Sequence, residues 1–181
     1  MGQLVEEVKL WNTPLVGAYL LWRFTQGYCN GHPHGDAPIG LLHFVASAIL
    51  TNKTLLKPIS NKRNDLQSFA RSFEVSKDSD ILLTIQERAR EKREYTLAAI
   101  DIAIAEGLMV WDADSGKLYP RNLTQLPGRK KTLKGQIRDD GNKAEILGKW
   151  FSNGCSPQVK KQKCRKSLIF IDFYAEQQAF F

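Results

Sequence analysis

The chain has 181 residues, 43% hydrophobic and 25% charged, with a net charge of +7. That length suits one compact domain, or one domain with an appended arm, and the balance excludes an intrinsically disordered chain. No stretch approaches the roughly 20 apolar residues of a membrane span, and the opening MGQLVEEVKL is too acidic, and too short in apolar run, for a secretion leader, so a cytoplasmic chain without membrane contact of its own is expected.

In chain order, Trp11-Asn12-Thr13-Pro14 opens a first helix, with Thr13 as cap and Pro14 at the first helical position, where a missing N–H costs nothing. From Leu15 to about Cys29 this helix is apolar nearly all round, which marks it as buried; Gly27 and the loop Asn30–Pro38 are expected to stop it. A second apolar helix covers Ile39–Leu50, and a third, amphipathic one covers Arg63–Phe73, with Leu66, Phe69, Ala70 and Phe73 at helical spacing. Ser79-Asp80 starts a fourth that carries Ile81, Leu82, Ile85 and Ala89 on one face. Thr96 is a candidate cap for a fifth, which Gly107 ends as a left-handed terminal residue.

Leu108–Trp111 and Lys117–Pro120 are strand-like and flank Asp112-Ala113-Asp114-Ser115-Gly116, which is turn chemistry; together they predict a β-hairpin. Helix, helix and hairpin in succession read as a winged-helix-like unit. After it come a basic loop at 121–141, a sixth helix Lys143–Phe151 capped by Asn142, a basic helix from Ser156-Pro157 and a strand candidate at Ser167–Tyr174. The predicted fold class is mainly α with a small β-hairpin, a winged-helix-like unit lying within a compact helical domain. The predicted division is a helical domain over 1–120 ending in that unit, then a basic linker, helix and C-terminal arm over 121–181.

Charge is unevenly spread. Residues 121–166 hold thirteen Lys or Arg against three acids, a balance of +10, so the rest of the chain sums to −3. That asymmetry points to a polyanion or an acidic protein surface as partner, against the plainer reading of a solvated loop. The candidates for sequence-independent phosphate contact are Arg129, Lys130, Lys131, Lys134 and Arg138, then Lys160, Lys161 and Lys163. The helix TLAAIDIAIAE before the hairpin offers no Arg, Asn or Gln, and Asp112 and Asp114 at the hairpin tip repel phosphate. Sequence-specific DNA reading through this unit is therefore not expected.

Catalytic signatures are missing: the sequence has no GxxxxGK[ST], no GxSxG, no HExxH and no CxxC. A non-enzymatic chain without a cofactor is expected. Three cysteines make an odd number for a disulfide framework and read as free thiols. Cys29, His32, His34 and Asp36 put four potential metal ligands into eight residues, but spacing this tight strains tetrahedral geometry, and a plain loop is the preferred reading. Trp11, Trp22, Phe24, Trp111, Trp150, Phe180 and Phe181 supply more aromatic surface than a lone domain of this size needs, which fits a subunit interface as well as a core.

The segments WNTPLVGAYLLWRFTQGY, the apolar second helix, the helix from Leu97 to Gly107 leading into GLMVWD, and the late AEILGKWF resemble the middle components of bacterial ABC three-component systems, and are similar to the C subunits of Lamassu-type defence systems. The resemblance covers most of residues 11–151 and rests on packing motifs. It implies a non-catalytic adaptor subunit that sits between an SMC- or Rad50-like ATPase and a separate effector, commonly a nuclease, in anti-phage or anti-plasmid defence. The apolar N-terminal helices and the hairpin would meet those proteins, and the basic segments would touch DNA beside them. A stand-alone winged-helix DNA-binding regulator and an inhibitor subunit masking a toxin are the alternatives. The final thirty residues fall outside the resemblance.

Overall fold

The computed structural model describes residues 13–60, 65–74, 79–121 and 135–154. Helix α1, Pro14–Gly31, runs through the centre, with Pro14 in the first turn and an extended Thr13 before it. Ten of its side chains or glycines are buried, among them Leu21, Phe24 and Thr25. A helix hydrophobic on every side needs neighbours on every side. They are α7, Gly135–Gly154, as the most extensive partner, then α6, Arg93–Ala105, then α2, Gly40–Leu50, and a hairpin.

Contact between α1 and α7 is close because glycines and small residues line it. A Cβ at Gly27 would lie 2.0 Å from the Glu145 carbonyl oxygen, and one at Gly148 would lie 2.1 Å from that of Phe24. Gly27, predicted to end the helix, therefore lies inside it, and its missing side chain admits the backbone of α7. Leu147 and Trp150 are also buried on α7, and Phe151 lies edge-on to Phe24 across the seam at 5.6 Å. Asn142 likewise caps nothing. The helix begins seven residues earlier, at Gly135, and Asn142 is an exposed mid-helix residue that accepts a hydrogen bond from Arg23.

Between α2 and α6 the chain makes the short α3, Lys53–Leu56, capped by the Asn52 side chain, then α4, Leu66–Glu74, a 3-10 turn Ser79–Leu82, and α5, Ile85–Glu91. Helix α4 is the predicted amphipathic one, and its Phe69 ring lies 5.8 Å from that of Trp150 on α7, tilted by 44°. The predicted fourth helix is split at Leu83-Thr84, and α6 starts at Arg93, ahead of the expected cap. Thr96 is instead a buried helical residue whose hydroxyl meets Ser47 of α2 at 2.9 Å and the Lys92 carbonyl at 2.8 Å. Gly107, at φ +68°, ends the helical stretch in the left-handed conformation expected of it.

Strands β1, Met109–Asp112, and β2, Lys117–Pro120, pair antiparallel with Val110 opposite Tyr119 and Trp111 opposite Leu118. The predicted hairpin thus stands, shifted by one residue in its first strand, and the fold is mainly α with a small β-hairpin. No helix among the described residues is long and apolar enough to cross a membrane.

One buried polar group joins three elements. His43 of α2 is fully buried, with Nδ1 3.3 Å from the Ile39 carbonyl and Nε2 2.8 Å from the Thr25 hydroxyl of α1. A carbonyl only accepts, so Nδ1 carries the proton and Nε2 faces Thr25 as an acceptor. Burial pushes the pKa of His43 down to about 4, so the ring is neutral at physiological pH. The Thr25 hydroxyl also lies 3.4 Å from Sδ of Met109, which brings β1 into the same cluster.

Candidate partner-docking face

The hairpin is fixed to the rest of the fold along one side only. Leu118 donates its N–H to the Pro38 carbonyl at 3.1 Å, and Gly40 donates to the Gly116 carbonyl at 2.8 Å, around an isolated antiparallel bridge between Ile39 and Lys117. The order across this small sheet is the Ile39 segment, β2, then β1. The loop before Ile39 reinforces the attachment. Asp36 accepts from Lys117 Nζ at 2.6 Å, and that contact holds its carboxyl below the usual range. The His32 ring stacks on Tyr28 at 5.9 Å, and its Nδ1 accepts the Asp36 N–H at 3.2 Å.

This is how the structure uses the loop of potential metal ligands. The Asp36 carboxylate is engaged by Lys117, and burial raises the Cys29 thiol to about 11, so it stays protonated at neutral pH. Among the described residues no group of three or more His, Cys, Asp or Glu is placed to hold a metal ion. The loop acts as a strap from the end of α1 to the base of the hairpin tip.

Beyond the attached side, α6 and the hairpin present large apolar side chains to solvent. Leu97 and Ile104 lie seven residues apart, two turns along one face of α6, and are exposed by 42% and 37%. Val110 and Tyr119, cross-strand neighbours on one face of the hairpin, are each 38% exposed, and Trp111 is 45% exposed. The Trp111 ring lies against Gly40, where a Cβ would approach its Cη2 to 2.9 Å, so a glycine at the start of α2 makes room for it. Because α6 enters β1 directly through Gly107 and Leu108, these side chains follow one another along a continuous piece of chain. Asp101 lies between Leu97 and Ile104 on α6, and Asp112 stands at the tip, where it accepts from the Ser115 hydroxyl and the Asp114 N–H.

The aromatic residues singled out by sequence divide on this map. Trp22, Phe24 and Trp150 are core residues, exposed by 9%, 0% and 3%; the Trp22 indole N–H donates to the Arg121 carbonyl at 3.2 Å. Trp111 is at the surface. Trp11, Phe180 and Phe181 lie outside the described residues, as do Arg129, Lys130, Lys131, Lys134, Lys160, Lys161 and Lys163, the basic helix expected from Ser156-Pro157 and the strand expected at Ser167–Tyr174. Arg138 is exposed on α7. Sequence reasoning missed Leu97, Ile104, Val110 and Tyr119 as surface residues, because each is an ordinary core residue type, and only the packing direction of its element exposes it.

A second polar cluster crosses the α1–α7 seam. Arg23 donates to Glu145 at 2.5 Å, to Gln26 at 3.1 Å and to Asn142 at 3.3 Å, and Lys149 pairs with Glu145 at 2.9 Å one turn on. It closes the seam at its rim, with Arg23 and Lys149 sharing the one Glu145 carboxylate and Arg23 Nε buried without a hydrogen-bond partner among the described residues.

The family model described as ABC-three component (ABC-3C) system Middle Component 3 matches residues 1–159. No curated protein and no solved structure matches the chain.

Proposed function

Since the chain belongs to the Middle Component 3 family of ABC three-component systems, and such a system has other components for it to meet, we propose that it is a non-catalytic adaptor. It bridges an SMC- or Rad50-like ATPase and an effector, a nuclease, in a bacterial anti-phage or anti-plasmid defence complex of the Lamassu kind. The observation that carries the reading is the exposed apolar run Leu97, Ile104, Val110, Trp111 and Tyr119 on a domain whose core is already filled by Phe24, Phe69, Leu147 and Trp150. Exposed aromatic and aliphatic anchors beside polar neighbours are the composition of a protein interface.

Helix α1, the Ile39 bridge, α2, α6 and the hairpin, with α3, α4, the 3-10 turn and α5 inserted between α2 and α6, support a winged-helix-like reading. Its exposed helix face carries Leu97, Asp101 and Ile104 and its tip is acidic, which favours protein docking over base reading. Phosphate contact falls to the basic residues, with Arg138 on α7 and Arg129, Lys130, Lys131, Lys134, Lys160, Lys161 and Lys163 beyond the described residues, and would be independent of sequence. The same exposed side chains would serve an inhibitor that masks a toxin.

The test is co-expression of the tagged chain with its neighbouring genes, followed by purification and mass determination of the particle. A stable particle containing a long coiled-coil ATPase is expected. A lone monomer or dimer, in a cell that makes the neighbours, overturns the adaptor reading, and a particle with a single small toxin replaces it by the inhibitor reading.

A further inference from the structure

The exposed face of α6 repeats itself. Glu94 stands three residues before Leu97, Asp101 stands three residues before Ile104, and all four are exposed. Acid and aliphatic residue therefore recur together after seven residues, and on a helix of 3.6 residues per turn the four fall within one arc of about 80°. Thr96, Ala99, Ile100 and Ala103 are the buried side of the same helix. Among the described residues neither Glu94 nor Asp101 enters a salt bridge. A seven-residue repeat is what one helix offers to another lying along it, because that spacing keeps the same stripe in contact turn after turn. From Glu94 to Ile104 the stripe is about 15 Å long.

We propose that this stripe docks a basic amphipathic helix of another component. That helix sets aliphatic residues seven apart against Leu97 and Ile104, with Lys or Arg beside them against Glu94 and Asp101. The inference rests on the adaptor reading for the existence of a partner and adds the chemistry of the element that is bound.

Charge selects the occupant. From Glu91 to Gly116 the chain carries six acids against Lys92 and Arg93, although the whole chain has a net charge of +7. The docking face is thus acidic on a basic protein. Cations opposite Glu94 and Asp101 draw in the incoming helix and fix its register, and acids there are repelled. A second copy of this chain fits badly. Two α6 helices packed antiparallel on this stripe would bring Glu94 and Asp101 of one against those of the other. A phosphate backbone is repelled by the same carboxylates.

The experiment is an NMR titration of the isolated full chain, at low salt, with two synthetic three-heptad helical peptides. Both carry leucine at the seven-residue spacing, and the flanking positions are lysine in one and glutamate in the other. The lysine peptide is expected to shift the amides of Leu97, Asp101 and Ile104 and to bind at least about tenfold more tightly than the glutamate peptide. A Glu94→Lys/Asp101→Lys variant should reverse that preference. Both substitutions are on the surface, and unmoved core amides such as Phe24 and Ile49 check that the variant is folded. Equal affinity for the two peptides, a preference that survives the charge reversal, or shifts confined to other elements overturns the proposal. Shifts at Leu97 and Ile104 that grow with chain concentration in the absence of peptide also overturn it, because a second copy then occupies the stripe. In the co-expression test the same variant should lose its partner component. A variant that assembles as the wild type does overturns the docking site and leaves the adaptor reading standing. A wild type that assembles with nothing sinks the adaptor reading, and the titration still decides the chemistry of the stripe.

Discussion

His43 shows what a single residue contributes to this fold. Its ring is neutral because burial holds its pKa at about 4, against about 6.5 in an unfolded chain. Above pH 6.5 both states are neutral, and this residue gives no pH dependence. Below it the unfolded chain takes a proton that the folded chain refuses, so stability falls by about 1.4 kcal/mol per pH unit, for a total of about 3 kcal/mol by pH 4. Urea denaturation across this range is expected to show that loss in the wild type. A His43→Gln variant should be less stable at pH 7 and lack this part of the slope; equal slopes would mean that the ring is not held neutral. The tryptophans divide by the same logic. Trp22→Ala should cost about 3 to 5 kcal/mol, since it empties a core site and strands the Arg121 carbonyl. Trp111→Glu should leave the unfolding midpoint within about 0.5 kcal/mol and abolish assembly with the partner components. Calorimetry and co-purification of the two variants separate these outcomes.

At the scale of elements, helix existence was legible and helix limits were not. The apolar run after Pro14, the second apolar helix, the amphipathic α4 and the hairpin with its Asp-rich turn all announce themselves through spacing and turn chemistry. Gly27 and Asn142 misled for the same reason: each is a terminator or cap by local rule, and each has a tertiary task inside a helix. Gly27 admits the backbone of α7, and Asn142 receives Arg23. The first of these is measurable. Gly27→Ala and Gly148→Ala each put a methyl within about 2 Å of a backbone oxygen, so each should destabilise the fold by about 3 kcal/mol or more, although alanine is the better helix former. Gly35→Ala, with open space around it and φ +65°, should cost only about 1 kcal/mol. Thermal melts of the three variants check that order, and a mild effect at Gly27 would mean that the seam is looser than described.

At the scale of the molecule, charge and apolar surface divide the work. The basic excess over residues 121–166 should govern any nucleic-acid contact of the assembled complex. Charge reversal at Lys130, Lys131 and Lys134 is expected to weaken DNA binding and flatten its salt dependence. An unchanged slope would remove this stretch from the DNA surface, and loss of assembly would make it a protein contact. The sequence by itself determined the class of fold, the hairpin and the left-handed Gly107 before it, and the charge asymmetry, because each is written in residues close along the chain. It also carried the family resemblance, through packing motifs. Only the tertiary structure decided which apolar residues are core and which are surface. Phe24 and Trp111 are both large and aromatic, and no local rule distinguishes them. One faces α7 across a seam opened by glycines, and the other lies over Gly40 at the edge of a sheet attached on one side only. Burial depends on what arrives from elsewhere in the chain, and that is fixed only when α1 has acquired its neighbours.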